Sequence, residues 1–98
     1  MPRVKVEFHP AAEEETLAAA EWYRGRSPKA AEAFLAELDG AVRRIAEGPA
    51  VWATYIDDTR RVVLRRFPFS IVYRFVPETV QVIALAHARR RPGYWRQR

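Results

Sequence analysis

From Arg60 to Trp95 the chain reads as three strands in succession followed by a basic, aromatic tail, and that run limits it to folds built on a meander. Residues 60–67 form the first strand and Pro68 sits at a tight bend. In 69–76, Phe69, Ile71, Tyr73 and Phe75 fall on one face, and Ser70, Val72, Arg74 and Val76 on the other. Pro77-Glu78-Thr79 is a turn and 80–87 the third strand, so consecutive strands pair antiparallel. A half-apolar sheet needs a layer packed on it, and the residues before Arg60 must supply one.

They supply two helices. Residues 11–24 (AAEEETLAAAEWYR) are rich in helix formers, with Glu13, Glu14 and Glu15 near the positive end of the helix dipole. Ala12, Thr16, Ala19, Ala20 and Tyr23 make an inner stripe, and Gly25 offers a C-terminal cap. Ser27-Pro28 is a second start, a serine N-cap with proline at the first helical position. Ala31, Phe34, Leu35, Leu38, Ala41, Val42 and Ile45 then keep helical spacing without a miss, up to about Glu47, and Gly48-Pro49 stops the helix. Upstream, residues 3–8 alternate as a half-buried strand that His9-Pro10 ends. Residues 49–59 have no period and read as a loop, with Trp52, Tyr55 and Ile56 on the core and a turn at Asp57-Asp58-Thr59.

The expected fold class is α+β, in the order β-α-α-β-β-β, over one domain spanning residues 1–98. An antiparallel sheet carries a helical hairpin on one face. The opposite face is expected to be open, with the arginines there or at the rim.

Charge is distributed unevenly along this plan. Residues 60–98 hold ten arginines and one acid, net +9, against net −4 for residues 1–59, which gives the chain its +5. An anionic partner follows: nucleic acid, an acidic protein segment or a membrane surface. No apolar run is long enough to span a membrane, and MPRVKVEFHP has no continuous apolar core of a secretory signal. With no cysteine, disulfides, thiolate metal sites and cysteine nucleophiles are excluded, which is compatible with a reducing cytoplasm.

Arg60, Arg61, Arg65, Arg66 and Arg74 lie on adjacent strands, and Arg89, Arg90, Arg91, Arg96 and Arg98 follow the last one. A guanidinium fork matches phosphate and carboxylate, and interleaved aromatics suit RNA. The same pattern also arises in a strand face charged against edge aggregation. His87 ends the last strand beside these cations and is a candidate general base, although a strand-end histidine is more often a plain surface residue. Two histidines without cysteine or carboxylate at ligand spacing give no metal signature, and there is no phosphate loop or nucleophile elbow. Glu13–Glu15, Glu32 and Glu37 read as solvated helix faces.

The ordered set of segments resembles the RelE/ParE superfamily of toxins from type II toxin–antitoxin pairs. VEFHPAAEEE resembles its opening strand and helix start, and SPKAAEAFLAELDGAVRRIAEGP its long second helix and stop. RRVVLRRFPFSIVYRF and VQVIALAHARRRPGYW resemble its Arg-rich hairpin and final strand, and HARRRPGYW is most like the ParE-like plasmid stabilisation branch. That branch implies a DNA gyrase inhibitor causing growth arrest, without cofactor, neutralised by a cognate antitoxin that meets operator DNA and carries an acidic, partly disordered segment. Target or antitoxin contacts then fall to Arg60, Arg61, Arg66, Arg89, Arg90, Arg91 and Trp95. The RelE branch implies instead a metal-independent, ribosome-dependent mRNA endoribonuclease, with Arg65, Arg74, His87 and Tyr94 as its catalytic set. This sequence has Ser70 where the middle strand of that branch commonly has an arginine, which points away from cleavage. A third alternative is a degenerate toxin that only binds. Leu17 and Trp22 on the hairpin's outer surface form a candidate apolar patch for the antitoxin, the alternative being that Trp22 caps the core.

Overall fold

A computed structural model describes residues 4–98. Its elements are β1 (Lys5–Phe8), α1 (Pro10–Arg26), α2 (Pro28–Glu47), β2 (Arg60–Val63), β3 (Phe69–Val76) and β4 (Thr79–His87). The element order and the α+β class are those expected from the sequence. Arg3, expected at the start of the first strand, lies outside the described residues.

The four strands make one sheet in the order β1-β4-β3-β2. The meander is antiparallel, with Val63 opposite Ser70 and Ser70 opposite Ala86. β1 is not antiparallel: it joins β4 in parallel, Lys5 opposite Thr79 and Phe8 opposite Val82, so the sheet is mixed. The helical hairpin is the crossover that a parallel connection requires. Alternation within a single strand fixes its faces but carries no information on its direction.

The hairpin is tighter than its sequence suggests. His9 caps α1, its Nδ1 accepting from the Ala11 N–H at 3.0 Å, with Pro10 at the first helical position. The helix continues through Gly25, and Ser27 alone serves both ends. The Ser27 N–H donates to the Tyr23 carbonyl at 2.9 Å, while Ser27 Oγ accepts from the Lys29 and Ala30 N–H groups at 3.1 and 3.3 Å. One extended residue therefore closes α1 and opens α2.

Two cores lie on opposite sides of the sheet. On the helix side, Ala12, Ala19 and Ala20 of α1 and Phe34, Leu38, Ala41 and Ile45 of α2 pack on Val62, Ile71, Tyr73, Val80, Val82 and Leu85. The alanines keep α1 close to the sheet. Tyr23, Phe34, Phe67 and Phe69 form an aromatic group with centroids 5.0–5.6 Å apart. The buried Tyr73 hydroxyl donates to the Pro49 carbonyl at 2.6 Å and ties the end of α2 to the sheet.

A bulge allows β4 to serve both cores. Val72 faces Ala84 but Tyr73 faces Val82, so Ile83 is an extra residue. Val80 and Val82 point to the helices, Ile83 and Ala84 both turn to the other side, and Leu85 returns to the helices.

The far face is not open, contrary to the sequence expectation. Val72, Ile83, Ala84 and Ala86 are covered by Trp95 from the tail, with Tyr55, Ile56 and Tyr94 packed against them. The arginines are displaced to the rim. β2 also ends at Val63 instead of continuing to residue 67, because Glu37 of α2 takes the N–H groups of Arg65 and Arg66, the latter at 3.3 Å. Those two arginines lie in a bend that the Leu64 N–H closes on the Phe69 carbonyl at 2.9 Å. Among the described residues, no helix is long and apolar enough to cross a membrane.

Candidate functional site

Much of the positive pole is engaged internally. Arg74 Nε donates to both Asp58 carboxylate oxygens at 2.9 and 3.0 Å, Arg96 pairs with Asp57 at 3.4 Å, and Arg66 with Glu37 at 3.5 Å. Arg60 donates to the Trp52 carbonyl at 2.6 Å. Arg61 and Arg90 lie over the rings of Tyr55 and Tyr94, at 4.0 and 3.8 Å from the centroids. Arg89, Arg90 and Arg91 are exposed on the turn after β4. Trp95, expected at a binding surface, is 2 % exposed and forms the centre of the far-side core.

The set Arg65, Arg74, His87 and Tyr94 is not brought together. Arg74 sits opposite Gln81 and His87 opposite Phe69, five residues along β3, so about 17 Å separates them along the strand. Arg65 is in the bend tied to α2. His87 Nδ1 accepts from the Arg89 N–H at 3.0 Å, and its ring meets Phe69 edge-on at 5.0 Å.

Tyr94 is committed elsewhere. Its hydroxyl donates to Glu15 Oε2 at 2.6 Å, and both oxygens of the same carboxylate accept from Arg98, at 2.9 and 3.0 Å. The Leu85 N–H donates to Glu15 Oε1 at 3.0 Å. Burial pushes the Glu15 carboxyl up, but the hydrogen bonds from Arg98, Tyr94 and Leu85 and the Arg98 charge outweigh it and leave it below its ordinary range. Burial and the Glu15 contact push the Tyr94 phenol well up, which makes it a poor group for moving protons. Glu15 and Glu37 are therefore not solvated helix faces: their side chains are only 17 % and 11 % exposed and hold other segments in place.

A hollow of about 270 Å³ lies beside Arg74 and Arg98, and two more border the His87 end of the sheet. The larger is a groove of about 460 Å³ between α1 and the His87 end of the sheet. Ala18, Ala19, Trp22, Tyr23, Phe69 and Leu85 give it apolar walls, with Glu15, His87 and Arg90 along the margin. Trp22 is 57 % exposed, with the Arg26 guanidinium 4.3 Å from its ring centroid. Leu17, also on α1, is exposed as well. The smaller hollow, about 90 Å³, lies on the tail-covered face and is lined by Arg61, Ser70, His87 and Arg90 over Val72 and Trp95. Sequence reasoning took Ser70 as the mark of a missing arginine; the strand register makes it a member of this recess. Among the described residues, no group of three or more His, Cys, Asp or Glu is placed to hold a metal ion.

Against known proteins, residues 6–92 match the model of a family described as the ParE toxin of the type II toxin–antitoxin system, parDE. The structure is similar to a chain of the chromosomal ParDE toxin–antitoxin system from P. aeruginosa, with a TM-score of 0.76 at 17% identity, over 87% of this chain and 96% of that one. It is also similar to a mutant E. coli RelE toxin in the free state, at TM-score 0.61 and 18% identity, over 90% and 86% of the two chains. The isolated E. coli RelE toxin matches at TM-score 0.59 and 20% identity, over 96% and 94%. No curated protein matches at a significant level.

Proposed function

The chain belongs to the ParE family of toxins of type II toxin–antitoxin systems, and from that premise we propose that it inhibits DNA gyrase by binding, with no chemistry of its own. The dispersal of Arg65, Arg74, His87 and Tyr94 carries this reading. A ribonuclease of the RelE kind would need its proton carriers and cations around one phosphate, whereas here Arg74 is paired with Asp58 and Tyr94 with Glu15. A binding toxin needs only a rigid surface.

A cognate antitoxin neutralises the toxin through an acidic, partly disordered segment and carries the pair to operator DNA. The groove beside α1 supports this part of the reading. Its walls are apolar, and Arg90 at its margin makes no ion pair among the described residues. An amphipathic acidic segment satisfies both features. The toxin domain spans residues 1–98 and works in the cytoplasm, away from membranes.

The test is a supercoiling assay with purified gyrase, beside programmed ribosomes with an open A site. Lost supercoiling or trapped cleaved DNA, with intact mRNA, is the expected result. Untouched gyrase at toxin excess sinks the reading. Cut mRNA would establish the ribonuclease alternative, and no effect in either assay a degenerate binding protein.

A further inference from the structure

We propose that the recess on the tail-covered face is a binding site for a phosphate-class oxyanion. Four groups able to donate hydrogen bonds line it, each from a different segment: Arg61 from β2, Ser70 from β3, His87 from the end of β4 and Arg90 from the turn beyond. Among the described residues, no carboxylate lines it. Arg61 and Arg90 make no ion pair among the described residues, yet each is pinned over a tyrosine ring, at 4.0 and 3.8 Å. Cations held on aromatic faces lose little freedom when an anion arrives. His87 Nδ1 is already an acceptor for the Arg89 N–H, so the neutral ring carries its hydrogen on Nε2, as a donor. Val72 and Trp95 make a dry floor that strengthens charge interactions above it.

The shape selects among anions. Donors carried on four segments around one recess suit a tetrahedral group with oxygens in several directions better than a planar carboxylate, which a single guanidinium fork satisfies. A recess of about 90 Å³ takes one such group and no more. Free phosphate, a nucleotide and a nucleic-acid backbone share this chemistry. The site stands independently of the gyrase reading, since it needs only the full chain and the anion.

The test titrates inorganic phosphate into the full-length protein and follows backbone amides and arginine Nε–H groups by NMR. Saturable shifts are expected at Arg61, Ser70, His87 and Arg90, with acetate much weaker. Arg61→Ala and Arg90→Ala should each weaken binding about tenfold, the loss of one charged hydrogen-bonding partner, and Arg61→Lys should fall between. Far-side folding is checked in each variant by the upfield methyl shifts under Trp95; if an alanine variant loses them, its lysine counterpart is scored instead. Parallel titrations with a nucleoside 5′-monophosphate and a short single-stranded DNA assign the source, and tighter binding of either supports the site. Shifts spread evenly over all arginines, acetate as effective as phosphate, or affinity unchanged in both arginine variants would overturn the proposal.

Discussion

The two faces of the sheet are closed in different ways. On the helix side, two regular elements deliver side chains at helical spacing, and the contacts are almost wholly apolar. On the far side, a loop and a tail without period deliver Tyr55, Ile56, Tyr94 and Trp95. They are held in place by ion pairs from Arg98 to Glu15, Arg96 to Asp57 and Arg74 to Asp58. The first arrangement suits a cooperative core. The second suits a cover of lower local stability, since opening it frees a smaller apolar cluster than the helix side holds and its charges regain water. The two hollows at the His87 end of the sheet border that cover at Arg90.

The largest expected effect is on the helix side. Phe34 is fully buried at the centre of the aromatic group, so Phe34→Ala should cost about 3–5 kcal/mol, a large share of the stability of a domain this size. Urea unfolding should report it as a global loss. Trp95→Ala removes a comparable ring from the far side. It should lower the global stability less, by no more than about 3 kcal/mol, the low end for such a truncation, while amides of residues 88–98 lose hydrogen-exchange protection and those of α2 keep theirs. If Trp95→Ala strips protection evenly from both faces, the two are one cooperative unit and the contrast is wrong.

Glu15 is the sharper probe, because it ties the tail to both α1 and β4. Glu15→Gln keeps the shape but loses the charge that Arg98 and Tyr94 meet, and should cost about 1–2 kcal/mol. Its folded carboxyl lies below the ordinary range, so this stability is present above the unfolded value near pH 4.3 and is lost as pH falls through the folded one. Wild type should thus lose tail protection on acidification, and Glu15→Gln should show a shallower loss. Equal acid slopes in the two proteins would remove Glu15 as the tie.

The same contrast explains what the sequence disclosed. α2 was legible because Ala31, Phe34, Leu38, Ala41 and Ile45 repeat at the helical period, and a serine and a glycine mark its ends. β3 and β4 were legible from alternation and from the turn at Pro77-Glu78. The far-side core was not, since Trp95 and Tyr55 carry no period and only the fold brings their rings to 5.6 Å. Glu15 is the last of a Glu-Glu-Glu run, and the helix phase alone turns it towards Tyr94 while Glu13 and Glu14 stay exposed. Glu37 reaches backbone N–H groups 28 and 29 residues away, which local pattern cannot register. The candidate site suffered most: seven of its eleven expected residues follow β4 or lie in the bend at Arg65 and Arg66, where spacing says nothing of direction.

Two tyrosines give the smallest and most discriminating comparison, one on each face. Tyr73 donates to the Pro49 carbonyl inside the helix-side core, and Tyr94 donates to Glu15 under the tail. Burial pushes the Tyr73 phenol up to about 12, with Arg60 pulling the other way. Burial, then the Glu15 hydrogen bond and charge, also push Tyr94 up. An unfolded tyrosine ionises near pH 10. Above that pH the unfolded chain sheds these protons while the folded chain keeps them, so the stability they contribute is full below about pH 10 and falls as pH rises towards the folded values. Tyr73→Phe and Tyr94→Phe should each cost about 1 kcal/mol at neutral pH and each flatten the alkaline slope. The readouts should differ: Tyr73→Phe in the global urea midpoint, Tyr94→Phe chiefly in exchange of the tail amides. If Tyr94→Phe leaves the alkaline behaviour of the tail unchanged, the phenol is not held under it, and the far face is an open surface after all.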